Sequence, residues 1–216
     1  TPLAAIKGYA TTLLAEDVEW DPISQREFLS IISDETDRLS ALVSSLLDLS
    51  RIESGNLSIS WIECPIEEII QRAAKSARLQ ENNKLEIALA PNLPTLFADP
   101  PRLETVFRNL LENAVKYAGE EAIIQVGVIS KENKLVFRVK DNGPGIPTEE
   151  SERIFQSFYR LDASLTRVVS GAGLGLAICQ GLVRAHGGKI WAEPQQKGAC
   201  IAFSIPFEPP ETEKLE

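Results

Sequence analysis

The chain has 216 residues, a formal net charge of −9 and a sequence pI of about 4.9; this excludes nucleic acid and anionic membrane surfaces as expected partners, because both demand a basic face. Its length suffices to bury a core and favours two small domains over one large one. Cys64, Cys179 and Cys200 lack the number and spacing of a disulfide framework or zinc site and fit reduced core thiols of a cytoplasmic protein; with no bilayer-length apolar run and no signal peptide, the chain is expected to be soluble, any membrane-anchored sensor lying upstream.

Residues 1–17 and 22–52 read as two helices joined by Trp20-Asp21-Pro22-Ile23, with Pro22 placed to begin the second. In that second helix Phe28, Ile32, Glu35, Leu39, Leu42, Leu46 and Leu49 alternate spacings of four and three, the seam of a left-handed coil, and Ile31, Val43 and Leu47 widen it. A stripe this broad on a hairpin predicts a homodimer through residues 1–52, two hairpins forming a four-helix bundle. The alternative is a hairpin that packs on the domain after it. Residues 53–61 break the pattern as a linker, with a short strand expected over 57–61.

A second domain spans residues 62–207. Pro65 opens a helix carrying Ile66, Ile69, Ile70, Ala73 and Ala77, and residues 84–90 and 95–98 read as strands. A helix over 100–118 follows; 122–130 with 134–140, and 189–193 with 199–205, read as two hairpins. The fold class is therefore α+β: a helical hairpin, then an α/β sandwich whose mixed sheet is covered by helices on one face. Residues 208–216 form a charged tail expected to be disordered.

Three segments of the second domain carry chemistry. In Asn109-Leu-Leu-Glu-Asn113-Ala-Val-Lys116-Tyr117 the two amides and the ammonium stand at i, i+4 and i+7, on one face beside the apolar stripe of Leu103, Val106, Phe107, Leu110 and Ala114. An Asn oxygen can ligate Mg²⁺ without adding negative charge near phosphates, and a Lys supplies a point charge for a phosphate oxygen. The strand over Lys134–Lys140 delivers Asp141 into the turn Asp141-Asn-Gly-Pro-Gly145, where a carboxylate suits an exocyclic amine such as that of adenine. Gly171-Ala-Gly-Leu-Gly175 opens a helix running through Cys179, Leu182, Val183 and Ala185, leaving amides to meet phosphate. Each segment alone is an ordinary helix, turn or loop; the three in order describe a nucleotide site.

The chain resembles the sensor histidine kinases, within the superfamily that includes gyrase, the mismatch-repair ATPases and a heat-shock chaperone. Asn109 to Tyr117 is similar to the family's asparagine box, and Asp141 to Gly145 and Gly171 to Gly175 to its two glycine boxes. Ile154-Phe-Gln-Ser-Phe-Tyr-Arg160 is similar to its phenylalanine box. The resemblance implies a Bergerat-type ATP-binding fold with ATP and Mg²⁺ as cofactors, Mg²⁺ held by Asn113, and a response regulator receiver domain as partner. It implies nucleotide contacts from Asn109, Asn113, Lys116, Tyr117, Asp141, Gly143, Gly145, Ile146, Gly171, Gly173, Leu174 and Gly175. Residues 156–171 resemble the family's lid, from which Arg160 is placed to reach phosphate. In ATP-hydrolysing relatives the residue four before the magnesium Asn is typically a water-activating Glu; here it is Asn109, so hydrolysis is expected to be slow. Glu112, about 100° around the helix from Asn113, reads as structural or solvated.

Thr1-Pro-Leu is similar to the tail of the phosphoacceptor box, which implies that Thr1 orients water for dephosphorylation of the receiver and that the accepting His falls before Thr1. The sole histidine, His186, reads as a structural cap at a helix end. The expected activity is transfer of the γ-phosphoryl of ATP to a protein histidine, with Asn109, Asn113, Lys116 and Thr1 as the catalytic set, this chain itself being unable to autophosphorylate. The competing reading is a nucleotide-binding switch that transfers no phosphoryl group.

Overall fold

The computed structural model describes residues 2–15, 17–55, 57–77, 79–161 and 172–209. By contacts the chain divides into two units, residues 1–48 and 49–216.

The first unit holds α1 (Pro2–Leu13) and most of α2 (Pro22–Glu53). The helix expected over 1–17 ends at Leu13, with turn residues at Leu14 and Asp17 before α2 begins at Pro22. Asp21 accepts from the Ile23 and Ser24 N–H groups at 2.9 and 3.1 Å, so a carboxylate starts α2 ahead of Pro22. Its bonds to Ser24 hold the carboxyl below its ordinary pKa. The turn is fastened by Trp20, whose Nε1–H donates to Thr12 O at 3.1 Å and whose ring meets Phe28 edge-on at 5.0 Å, while Tyr9 packs on Phe28 at 5.4 Å. Neither helix buries a described residue; Leu29 and Leu47 are 57% and 56% exposed.

The second unit contains a five-stranded mixed sheet in the order β2-β4-β5-β7-β6, formed by β2 (Lys84–Leu89), β4 (Ile123–Lys131), β5 (Lys134–Lys140), β6 (Lys189–Ala192) and β7 (Cys200–Pro206). β2 runs parallel to β4, with Ile87 opposite Val126; the other pairings are antiparallel, so the expected mixed sheet and both hairpins are present. Ile124, Val126 and Val128 are buried while Ile123, Gln125 and Ile129 are exposed, the alternation of a sheet with one covered face. The cover consists of α3 (Ile66–Ser76), α4 (Pro100–Ala118) and α5 (Gly175–Ala185).

β1 (Ile62–Glu63) and β3 (Phe97–Ala98) form a separate antiparallel pair. The strand expected over 57–61 is absent: its side chains alternate half-buried and exposed, yet the first ladder bonds form at Ile62. At the centre of the core Phe137 and Phe203 stack at 4.6 Å, and Phe107 of α4 meets both edge-on at 5.6 and 5.4 Å. These rings fix the rotation of α4 about its axis. Burial pushes the thiols of Cys64 and Cys200 up to about 11 and that of Cys179 up to about 12; all three cysteines are free.

Candidate functional site

α4 buries Leu103, Val106, Phe107, Leu110, Leu111 and Ala114, which turns Asn109, Asn113 and Lys116 to its half-buried flank. Asn109 faces α5. A Cβ on Gly175 would sit 3.3 Å from Asn109 Oδ1, and the same side chain bonds the Cys179 thiol, opposing the effect of burial on it. One turn on, the Asn113 amide makes no hydrogen bond among the described residues. Lys116 is half-buried, and its ammonium is held below its ordinary pKa first by desolvation and then by the charge of Arg160. The positive charge of Arg160 is therefore felt at this flank. The Lys116 Nζ stands 5.1 Å from the ring centroid of exposed Tyr117. Glu112 is exposed, 3.9 Å from Arg108.

Asp141 ends β5. Its N–H donates to Ala199 O at 2.9 Å, and its Oδ1 accepts from the N–H groups of Gly143 at 2.8 Å and Ala199 at 3.1 Å. Burial raises the carboxyl above its ordinary pKa, with the two amide bonds pulling the other way. Among the described residues Oδ2 accepts nothing. Close backbone approach requires glycine on both sides of Asp141: Gly198, between β6 and β7 at φ +79°, would place a Cβ 1.9 Å from Asp141 O, and a Cβ on Gly143 would stand 3.2 Å from Tyr117 O, joining the Asp141 turn to the end of α4. Ile146 packs against the core beyond Gly145.

Gly173, at φ +73°, lies so close to the phenylalanine segment that a Cβ would meet Tyr159 O at 2.8 Å, and Phe158 N–H donates to Gly173 O at 2.9 Å. Tyr159 O–H donates to the Glu150 carboxylate, which also takes Arg153 at 3.0 Å. Leu174 is buried, and among the described residues no side chain caps the first turn of α5, whose N–H groups suit an anion. Thr1, Gly171 and residues 162–170 lie outside the described residues. The fold thus gathers Asn109, Asn113, Lys116, Arg160 and Gly175 around α4 and α5, with Asp141 and Gly143 at the end of α4.

Sequence reasoning missed Ala199 and Gly198, which hold Asp141 from a hairpin turn 58 positions away in the chain. A second miss is Asp99, the cap of α4; the signal was Asp99-Pro100-Pro101 ahead of an apolar-periodic run. His186 caps α5 as expected, its N–H on Leu182 O at 3.2 Å, but it is fully buried with its Nε2 accepting a backbone N–H, so it acts as a neutral ring and not as a dipole cation.

Residues 98–209 match the family described as histidine kinase-, DNA gyrase B- and HSP90-like ATPases, and residues 1–55 match the His Kinase A phosphoacceptor domain. The sensor protein kinase WalK of Staphylococcus aureus is 34% identical over 220 residues, covering 96% of this chain and 51% of that protein. Full-length ShkA in complex with AMPPNP aligns with a TM-score of 0.74 at 26% identity, over 97% of this chain and 44% of that one. The histidine kinase ThkA in complex with the response regulator TrrA aligns with a TM-score of 0.74 at 27% identity, over 97% and 58%. The chain spans between 23% and 51% of the length of the first curated relatives it matches.

Proposed function

This chain belongs to the sensor histidine kinases, and on that premise we propose that it binds Mg²⁺-ATP and transfers the γ-phosphoryl to a protein histidine, for relay to an aspartate of a response regulator receiver domain. The observation that carries the reading is Asp141, a partly desolvated carboxylate fixed through Oδ1 by two backbone amides. Its other oxygen suits the exocyclic amine of adenine.

The remaining groups fit a triphosphate. Lys116 and Arg160 repel each other in the free chain, and phosphate oxygens between them would relieve that repulsion. The start of α5, which no side chain among the described residues caps, offers N–H groups to the same oxygens. Among the described residues no cluster of three or more His, Cys, Asp or Glu could hold a metal by itself, so Mg²⁺ would arrive with the phosphates and take the Asn113 oxygen as its protein ligand. When bound, Mg²⁺-ATP supplies the phosphoryl group. The side chains of this chain position it and neutralise its charge. Asn109, packed against α5 where hydrolytic relatives carry a base, leaves water unactivated and so favours a protein nucleophile. The exposed apolar residues of α1 and α2 support homodimerisation through residues 1–52, and the proposed division of labour is a dimerisation hairpin over 1–52, a linker over 53–61 and an ATP-binding domain over 62–207. Among the described residues no helix is long and apolar enough to cross a membrane, and the proposed setting is cytoplasmic.

Calorimetry with ATP, with and without Mg²⁺, tests the site. Incubation with labelled ATP tests the transfer: a phosphoacceptor helix supplied in trans gains acid-labile phosphate. The 216-residue chain alone gains none, since its sole imidazole, His186, is buried with both ring nitrogens bonded. Hydrolysis without transfer would reject the kinase reading, and absence of binding would reject the site.

A further inference from the structure

Outside the motif residues, one buried carboxylate joins three segments of the second unit. Asp99 is 7% exposed. Its Oδ1 accepts from Arg102 N–H at 3.1 Å, capping α4, and its Oδ2 accepts from Ser60 N–H of the linker at 3.0 Å. Its own N–H donates to His186 Nε2 at 3.1 Å. A backbone N–H can only donate, so the ring proton of His186 stands on Nδ1, which donates to Leu182 O of α5 at 2.7 Å. Trp61 closes edge-on over the imidazole at 5.5 Å. The linker continues into β1, where Ile62 pairs with Ala98, and Cys64 N–H donates to Leu96 O at 2.9 Å.

We propose that Asp99 is a positioning residue, oriented by His186, through which residues 60–64, where the linker runs into β1, and the nucleotide helix bias each other. A carboxylate bonded to both Ser60 and Arg102 cannot follow one segment without straining or breaking its bond to the other, because a displacement of about 1 Å ends a hydrogen bond. With the linker in its observed register the first turn of α4 stays capped, and the helix bearing Asn113 and Lys116 keeps its place against α5. A shifted linker uncaps it. The relay rests on the nucleotide reading of α4, and its coupling is reciprocal: whatever the linker does to nucleotide affinity, nucleotide does to the linker.

Hydrogen exchange on the full chain, with and without Mg²⁺-ATP, tests this. In the unsubstituted protein the nucleotide slows exchange of the amides of residues 60–64 by at least about five-fold. Asp99→Ser keeps a capping oxygen for Arg102 but has no second oxygen for Ser60; it binds ATP at least about five-fold more weakly and loses the nucleotide-dependent protection of 61–64. Ser60→Pro removes the donor, along with the freedom of φ at that residue, and produces the same loss. A purely structural anchor would lower Tm in both variants while leaving nucleotide-dependent protection intact, and that result overturns the relay. Binding of ATP to the unsubstituted chain without protection of 60–64 overturns it as well, whether or not either variant folds. If calorimetry finds no binding at all, the nucleotide reading fails and takes the relay with it.

Discussion

α1 and α2 bury none of their described residues, whereas in the α/β unit Phe107, Phe137 and Phe203 meet ring to ring with at most 1% exposure. Both regions carry a regular apolar pattern, so the difference lies in what each pattern meets. The α/β unit closes its sheet face with its own helices; the hairpin holds its turn with Trp20 and Phe28 and leaves Leu29, Val43, Leu46 and Leu47 uncovered. One region is stabilised from within; the other leaves its apolar stripe exposed, the face proposed to pair with a second copy.

The largest test of that contrast is Phe137→Ala, which should cost the α/β unit about 3–5 kcal/mol in urea denaturation. Leu46→Ala should cost that unit less than about 1 kcal/mol while making helical circular dichroism more sensitive to dilution. Equal losses from the two substitutions would erase the contrast. Next in size, Asp141→Asn should weaken ATP binding by about 1.5–3 kcal/mol, roughly ten- to hundred-fold by calorimetry. Its effect on stability has the opposite sign. The folded-state pKa lies above the unfolded one, so folding favours the protonated carboxyl, and the ionised group costs stability as pH rises through the folded value. The Asn oxygen still accepts from Gly143 and Ala199, so Tm near neutrality should hold or rise; a clear fall would make Asp141 a core residue first.

Asn113→Ala should lose on the order of ten-fold in affinity with Mg²⁺ present, about 1.4 kcal/mol, and less in chelator. Equal losses would assign Asn113 to packing. The smallest effect at neutral pH is that of Lys116. Its ammonium titrates below the ordinary lysine range in the free chain, and a bound phosphate favours the charged form. Affinity should therefore weaken as pH rises through the free-chain value, with proton uptake on binding in that window; Lys116→Gln should abolish the uptake, measured in buffers of different ionisation enthalpy.

The stripe of α4, both hairpins and the two amides with Lys116 were legible because each depends on spacings within one segment. What stayed hidden depends on separation. Residues 57–61 alternate as a strand would, but a ladder needs a neighbour, and Ser60 N–H goes instead to the side chain of Asp99, 39 positions on. The 87 positions between Asp99 and His186 hide their bond in the same way. Asp141 was found from its strand and turn, while its support from Ala199 follows only once β5 and β7 lie side by side.

The three free thiols make the chain its own opening clock. Cys64 lies just after β1, Cys179 in α5 against Val106 O, and Cys200 at the start of β7, all buried and all with thiols pushed to about 11 or 12. Thiolate is scarce at such values, so a maleimide finds little to react with until the surrounding segment opens. Timed labelling would then rank the β1 segment, the α4–α5 seam and the sheet by opening rate without any substitution, and a cysteine added on the surface would react first.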